Sequence, residues 1–166
     1  MLDIVTLGAD VLRMNAEQIE NVDDQIVKLG QDMLDVMRFE DGIGLAGPQV
    51  SVLKQIFVCQ VHQNEARVFI NPQIIATSHE LLPYEEGCLS IPGVFADVKR
   101  PAAITVQALN ERGRPFKIDA EGVLARVIQH EMDHLRGVLF VDYLDEEVKK
   151  KLLKIYDKKM SRKVGR

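Results

Sequence analysis

The chain has 166 residues, 46% of them apolar and 28% charged, with a net charge of −4. That composition excludes a disordered protein, the length suffices to hide roughly 70% of the unfolded surface in a core without help from disulfides, and the acidity excludes a general nucleic-acid binder. No apolar run approaches the roughly 20 residues of a membrane span, and MLDIVTLGAD lacks both the basic and the apolar region of a secretory signal. Two cysteines, Cys59 and Cys88, make no disulfide framework. The expectation is one domain over 1–166, reduced and cytoplasmic, with no membrane partner. Charge is uneven along it. Residues 149–166 hold nine Lys and Arg against Asp157 alone, whereas the first 148 residues carry 12 bases and 24 acids.

In chain order, Ile26, Leu29, Met33, Val36 and Met37 recur at helical spacing and predict a helix over 24–40, capped by Asp23 or Asp24 and stopped by Gly42. From about 55 to 120 the texture is that of strands: QIFVCQV, RVFIN, AITVQAL and PFKID, with NERGRP as a hairpin connection between the last two. Leu124, Val127, Ile128, Met132 and Leu135 predict a second helix over 122–136, with Gly137 just past its end. A last helix is expected over 145–160. Helices at the ends and hairpin-linked strands between them predict an α+β fold, mostly antiparallel short strands around the second helix.

That helix carries His130-Glu131-Met132-Asp133-His134. Residues four apart share a helix face, so both imidazoles reach one metal ion, while Glu131, about 100° round, stands beside it as a base for a water. By chance the pattern arises on the order of once in a few hundred chains. A catalytic metal of this kind wants a third protein ligand. Asp142, Asp145, Glu146 and Glu147 stand in no ligand motif. Cys88, in Glu86-Gly87-Cys88-Leu89-Ser90 at a strand-to-turn transition, is either a buried apolar cysteine or a thiolate facing a cavity; the missing ligand favours the second. Cys59, inside IFVCQV, reads as a small hydrophobe. Gly42-Ile43-Gly44-Leu45-Ala46-Gly47-Pro48-Gln49 matches GxGxxG, and Glu65 stands about twenty residues on, but a helix precedes it and no crossover helix follows. It reads instead as a glycine-rich loop that lets backbone approach a ligand, with the amide of Gln49 beside it.

Taken together, GIGLAGPQ (42–49), EGCLS (86–90) and QHEMDH (129–134) resemble, in order and over essentially the whole chain, the motifs of the peptide deformylases. One departure is visible: Gly47 stands where the family has a second alanine, an exchange expected to loosen the loop that holds Gln49. The resemblance implies a hydrolase that removes the formyl group of N-formyl-methionyl nascent chains as formate. It implies Cys88, His130 and His134 as ligands of one divalent metal, Fe²⁺ in the cell and Ni²⁺, Co²⁺ or Zn²⁺ in purified protein. Glu131 becomes the general acid and base, and the Gln49 side chain with the Leu89 amide the oxyanion donors. Gly42, Ile43, Gly44 and Val127 become the substrate-binding residues. Asp133 and Arg100 are either a buried pair fixing helix to sheet or an ordinary surface ion pair. The basic tail is either a solvated helix face or a ribosome-docking helix of the kind some members use. Two rivals remain at this point: a zinc protease, which has no need of Cys88, and a non-enzymatic relative with a structural metal, which has no need of Glu131 or Gln49.

Overall fold

The computed structural model describes residues 1–164; Arg166, the last base of the tail, lies outside the described residues. Three helices, α1 (Asp24–Phe39), α2 (Gly122–His134) and α3 (Glu146–Val164), stand with seven strands. These are β1 (Gly44–Ala46), β2 (Ile56–Cys59), β3 (Arg67–Thr77), β4 (Leu81–Cys88), β5 (Ile91–Pro101), β6 (Ala103–Leu109) and β7 (Pro115–Glu121). All pairings between them are antiparallel: one five-stranded sheet in the order β1-β2-β3-β6-β7, and a separate β4–β5 ribbon. The α+β expectation holds.

The five-stranded sheet is covered on both faces at β2, which explains why that strand reads as an unbroken apolar run, whereas β6 and β7 alternate. Ile56 and Val58 point to the α1 side and pack with Met33 and Met37. Phe57 and Cys59 point to the α2 side with Phe69, Val106, Ala125 and Ile128. Cys59 is thus the buried hydrophobe its neighbours predict. The β6–β7 connection is the expected hairpin, with Asn110 Oδ1 accepting from the Arg112 and Arg114 amides and Gly113 at φ 72°.

Helix boundaries follow their caps. Asp23 accepts from the Ile26 amide at 3.0 Å and so is the N-cap of α1. The stop differs from the expectation: Asp41, at φ 54°, takes the left-handed turn, and Gly42 follows it, its amide closing onto the Met37 carbonyl at 2.9 Å. Gly42 is needed for a different reason. A Cβ there would lie 2.6 Å from Leu89 Cδ1, so a larger residue would have to displace the Leu89 side chain beside the Cys88 turn. Gly137 turns left-handed after α2 at φ 73°, and its missing Cβ admits the Arg13 backbone. Helix α3 begins one residue and ends four residues beyond the expected 145–160. No described helix is long and apolar enough to cross a membrane.

The loop is tightly packed at Gly47. The backbone of residues 52–54 fills the space of the absent methyl: a Cβ would lie 2.7 Å from the Val52 carbonyl oxygen and 2.9 Å from that of Lys54. Gly47→Ala, although it restores the family's residue, is therefore expected to destabilise by about 1–3 kcal/mol, as overpacking against backbone does. Thermal unfolding of the two proteins side by side checks this; an unchanged or raised Tm contradicts it.

Candidate metal centre and peptide cleft

Helix α2 is amphipathic, and its apolar stripe fixes which side turns toward the β4–β5 ribbon. His130 and His134, one turn apart, lie on that side, and Cys88 ends β4 opposite them. Among the described residues, the only group of three or more His, Cys, Asp or Glu able to hold a metal is Cys88, His130 and His134, whose ligand atoms lie within 4.8 Å of one another. Cys88 Sγ is 3.4 Å from His134 Nε2, which is 3.3 Å from His130 Nε2. Three electron-pair donors facing each other without a cationic side chain among them fit a divalent cation. One thiol and two imidazoles suit iron, nickel, cobalt or zinc rather than calcium or magnesium.

The orientation of His130 comes from Glu86, two residues before the cysteine. Glu86 Oε1 lies 2.9 Å from His130 Nδ1, which places the ring proton on Nδ1 and leaves the Nε2 lone pair toward Cys88 and His134. Burial opposes a charge on Glu86, but the His130 and Arg100 hydrogen bonds outweigh it and hold the carboxyl at about 2. Arg100 grips Glu86 at 2.7 and 3.0 Å and Asp133 at 2.8 Å. Arg126 adds a bond to Glu86 at 2.9 Å and bonds to the Val98 and Leu82 carbonyls, both at 2.7 Å. Tyr143 donates to Asp133 at 2.7 Å. Of the two alternatives for Arg100 and Asp133, the buried pair is the one observed: both are 4% exposed or less. Glu86, Arg126 and Tyr143 were not singled out by sequence reasoning. Only the presence of Glu86 in EGCLS pointed to it.

Glu131 sits beside the donors, 3% exposed, and its Oε2 meets no hydrogen-bond partner among the described residues. Burial pushes its pKa up to about 7, against the pull of His130. Gly44 makes room for it: a Cβ there would lie 2.6 Å from Glu131 Oε1 and 2.8 Å from Val127 Cγ1. Gln49, 1% exposed, is locked at both ends of its amide. Its Oε1 accepts from the Ala46 amide at 2.9 Å, and its Nε2 donates to Ser90 Oγ at 3.1 Å, with Cys88 Sγ at 3.6 Å. The Leu89 amide donates to no carbonyl among the described residues. Cys88 itself is half-buried.

A cleft of about 620 Å³ opens on this group, and Gly42, Ile43, Gly44 and Val127 all line it, as do Gln49, Leu89, Cys88, His130 and Glu131. His134 lies behind, 1% exposed. Ile43, Tyr84 and Phe95 stand exposed along the rim, an apolar border suited to an unfolded peptide. The glycine-rich loop is no dinucleotide site: it runs from α1 into the short β1 and a 3₁₀ turn over Gly47–Val50.

Comparison with known proteins agrees with this arrangement. The family described as Polypeptide deformylase matches residues 1–150. A peptide deformylase of Borreliella burgdorferi is 49% identical over 158 residues, 93% of this chain and 94% of that one. One from a Synechococcus species is 53% identical over 150 residues, 88% of this chain and 75% of that one. The crystal structure of peptide deformylase from Ehrlichia chaffeensis superposes with a TM-score of 0.95 at 37% identity, over 99% of each chain. That of Synechococcus elongatus, in complex with actinonin, gives 0.89 at 46% identity over 95% of this chain and 85% of that one. With motifs, fold and sequence in agreement over most of its length, the chain belongs to the polypeptide deformylase family.

Proposed function

We propose that the cleft residues of this chain divide the family's reaction, removal of the N-formyl group from formyl-methionyl nascent chains as formate, in the following way. Cys88, His130 and His134 hold one divalent metal, Fe²⁺ in the cell and Ni²⁺, Co²⁺ or Zn²⁺ in purified protein. Such a metal supplies Lewis acidity, which brings the pKa of water toward neutrality and polarises a carbonyl. Glu131 takes the proton of the attacking water and returns it to the departing methionyl amine, a double duty suited to a carboxyl poised at about 7. As the formyl carbon becomes tetrahedral, charge builds on its oxygen, and the Gln49 Nε2–H and the Leu89 N–H donate to it. Gly42, Ile43 and Gly44 align the peptide, and Val127 lines the pocket of the methionine side chain. The whole of 1–166 serves as one catalytic domain, in the cytoplasm.

The observation that carries this reading is the buried, unpartnered Oε2 of Glu131 beside three converging donors. Neither rival needs the whole combination. A protease of the zinc type has no use for a cysteine at position 88, and a structural metal has none for an unpaired buried carboxylate. The test is formate release from formyl-Met-Ala-Ser by protein purified anaerobically with Fe²⁺ or Ni²⁺. Release from that peptide, and none of acetate from the acetylated one, supports the reading; a metal-replete protein releasing no formate sinks it.

The basic tail supports a docking role at the ribosome. On α3, Tyr156 is buried and Leu152 and Met160 pack beside it against Ile91 and Val94. That leaves Lys150, Lys154 and Lys158 on one exposed face, without an acidic partner among the described residues. Reversing all three to Glu is expected to weaken cosedimentation with ribosomes about tenfold or more at low salt and to spare formate release. Undiminished cosedimentation removes the docking role.

A further inference from the structure

The two oxyanion donors come from different sheets. Gln49 follows β1 of the five-stranded sheet, and Leu89 follows β4 of the ribbon, and no strand pairing joins the two. Their separation must nonetheless hold within a fraction of an ångström, since a displacement of about 1 Å can cost 10²-fold in rate. Helix α2 spans the gap through Arg126 and His130. A second link lies in the first residues of the chain. The Val5 N–H donates to the Gln49 carbonyl and the Leu7 N–H to the Ser90 carbonyl, each at 2.8 Å. Side chains of the same segment anchor in two different cores: Ile4 packs with the α1 cluster and Leu7 with the cluster of Ile91, Val94 and Tyr156.

We propose that residues 4–7 are a positioning strap that sets the distance between the Gln49 loop and the Cys88–Ser90 turn. The strap touches no substrate and acts through two carbonyls, while the Gln49 Nε2 to Ser90 Oγ bond at 3.1 Å ties the same two loops from inside the cleft. The inference rests on the roles given above to Gln49 and Leu89. It explains why a segment outside every helix and strand is held by amide bonds to both.

The test removes the amides and, separately, the side chains. Val5→Pro and Leu7→Pro delete the donors; Val5→Ala and Leu7→Ala keep them. Thr6→Pro is the control, because the Thr6 N–H meets no acceptor among the described residues. In Ni²⁺-loaded protein the two donor-deleting variants are expected to lower kcat about 10- to 100-fold with KM unchanged. The thiolate absorption of the Co²⁺-loaded forms should match the parent, showing an intact ligand set. Leu7→Ala, which loosens the anchor but keeps the amide, should lower Tm and reduce kcat less than Leu7→Pro does. Where a proline variant fails to fold, the α-hydroxy acid analogue at position 5 or 7 replaces only the N–H by an ester oxygen. Parental kcat in the folded donor-deleted proteins overturns the strap, as does failure of every such variant to fold, which would make the segment a folding element only. Gln49→Ala separates the two layers of inference. If it retains parental kcat, the oxyanion assignment itself falls; if it is slow while the esters are not, the strap alone falls.

Discussion

Glu131→Gln is expected to give a folded, metal-loaded protein whose formate release is slower by about 10⁴-fold, the upper end of what one acid–base group contributes, because the same carboxyl serves both proton transfers. The amide keeps the size of the side chain and the fit against Gly44, so the loss isolates proton transfer from packing. Glu131→Ala should be as inactive and equally able to hold metal. The substitution also has a signed effect on stability. A carboxyl whose pKa is raised from 4.5 to about 7 in the fold binds its proton more tightly there than in the unfolded chain. That contribution is complete below pH 4.5 and is lost as pH rises through 7, roughly 3 kcal/mol for metal-free protein. Metal-free Glu131→Gln should therefore unfold at higher temperature than the parent at pH 8, and by a smaller margin at pH 5. Turnover by a metal-replete Glu131→Gln protein at the parental rate would end the proton-transfer assignment.

Glu86→Ala is the second large effect, and it strikes the fold before the chemistry. Glu86 meets two guanidinium groups and a ring nitrogen in a region where Arg100, Arg126 and His130 are 4–9% exposed. Removing it leaves Arg126 with backbone carbonyls only and His130 without its acceptor. Breaking such a buried pair costs about 3–5 kcal/mol, a large share of the 5–15 kcal/mol that holds a domain together. A fall in Tm of about 6–20 °C follows at this chain length. Metal affinity should drop about 10- to 100-fold besides, since the imidazole loses the group that fixes its tautomer. Because the Glu86 carboxyl is depressed, its stabilising share is present above pH 4.5 and lost as pH falls toward 2, so the parent should acid-unfold in that window and the variant should show less of this slope. An unchanged Tm in Glu86→Ala would mean that the network is ornamental.

Glu86 also marks where the sequence stops being legible. The metal ligands could be read because an i, i+4 pair of histidines states its own geometry once the helix is recognised, and α2 announces itself through Leu124, Ile128 and Leu135. The buried network could not. Arg126 lies 40 residues from Glu86 in the chain, and nothing local distinguishes a glutamate ringed by cations from one in water. The strands tell the same story. β2 and β6 are visible as β-branched runs, whereas Pro83, Pro92, Gly93 and Pro101 interrupt that pattern along the β4–β5 ribbon. A two-stranded ribbon tolerates those residues, because its outer edges pair with nothing and need no N–H. The left-handed residue that follows α1 differs from the expected one for a related reason. Glycine is the expected left-handed residue, and here Asp41 takes that conformation so that Gly42 can meet Leu89.

The two cysteines, finally, have opposite fates under oxidative attack. Cys59 is sealed between the sheet and α2, 1% exposed, and burial pushes its thiol up to about 12, so it offers neither access nor thiolate. Cys88 stands half-buried in the wall of an open cleft. Peroxide or an alkylating reagent thus finds a single accessible thiol in the native protein, and conversion of that thiol to a sulfinic or sulfonic acid is irreversible by ordinary thiols. Its one accessible thiol coincides with a residue proposed to hold its metal.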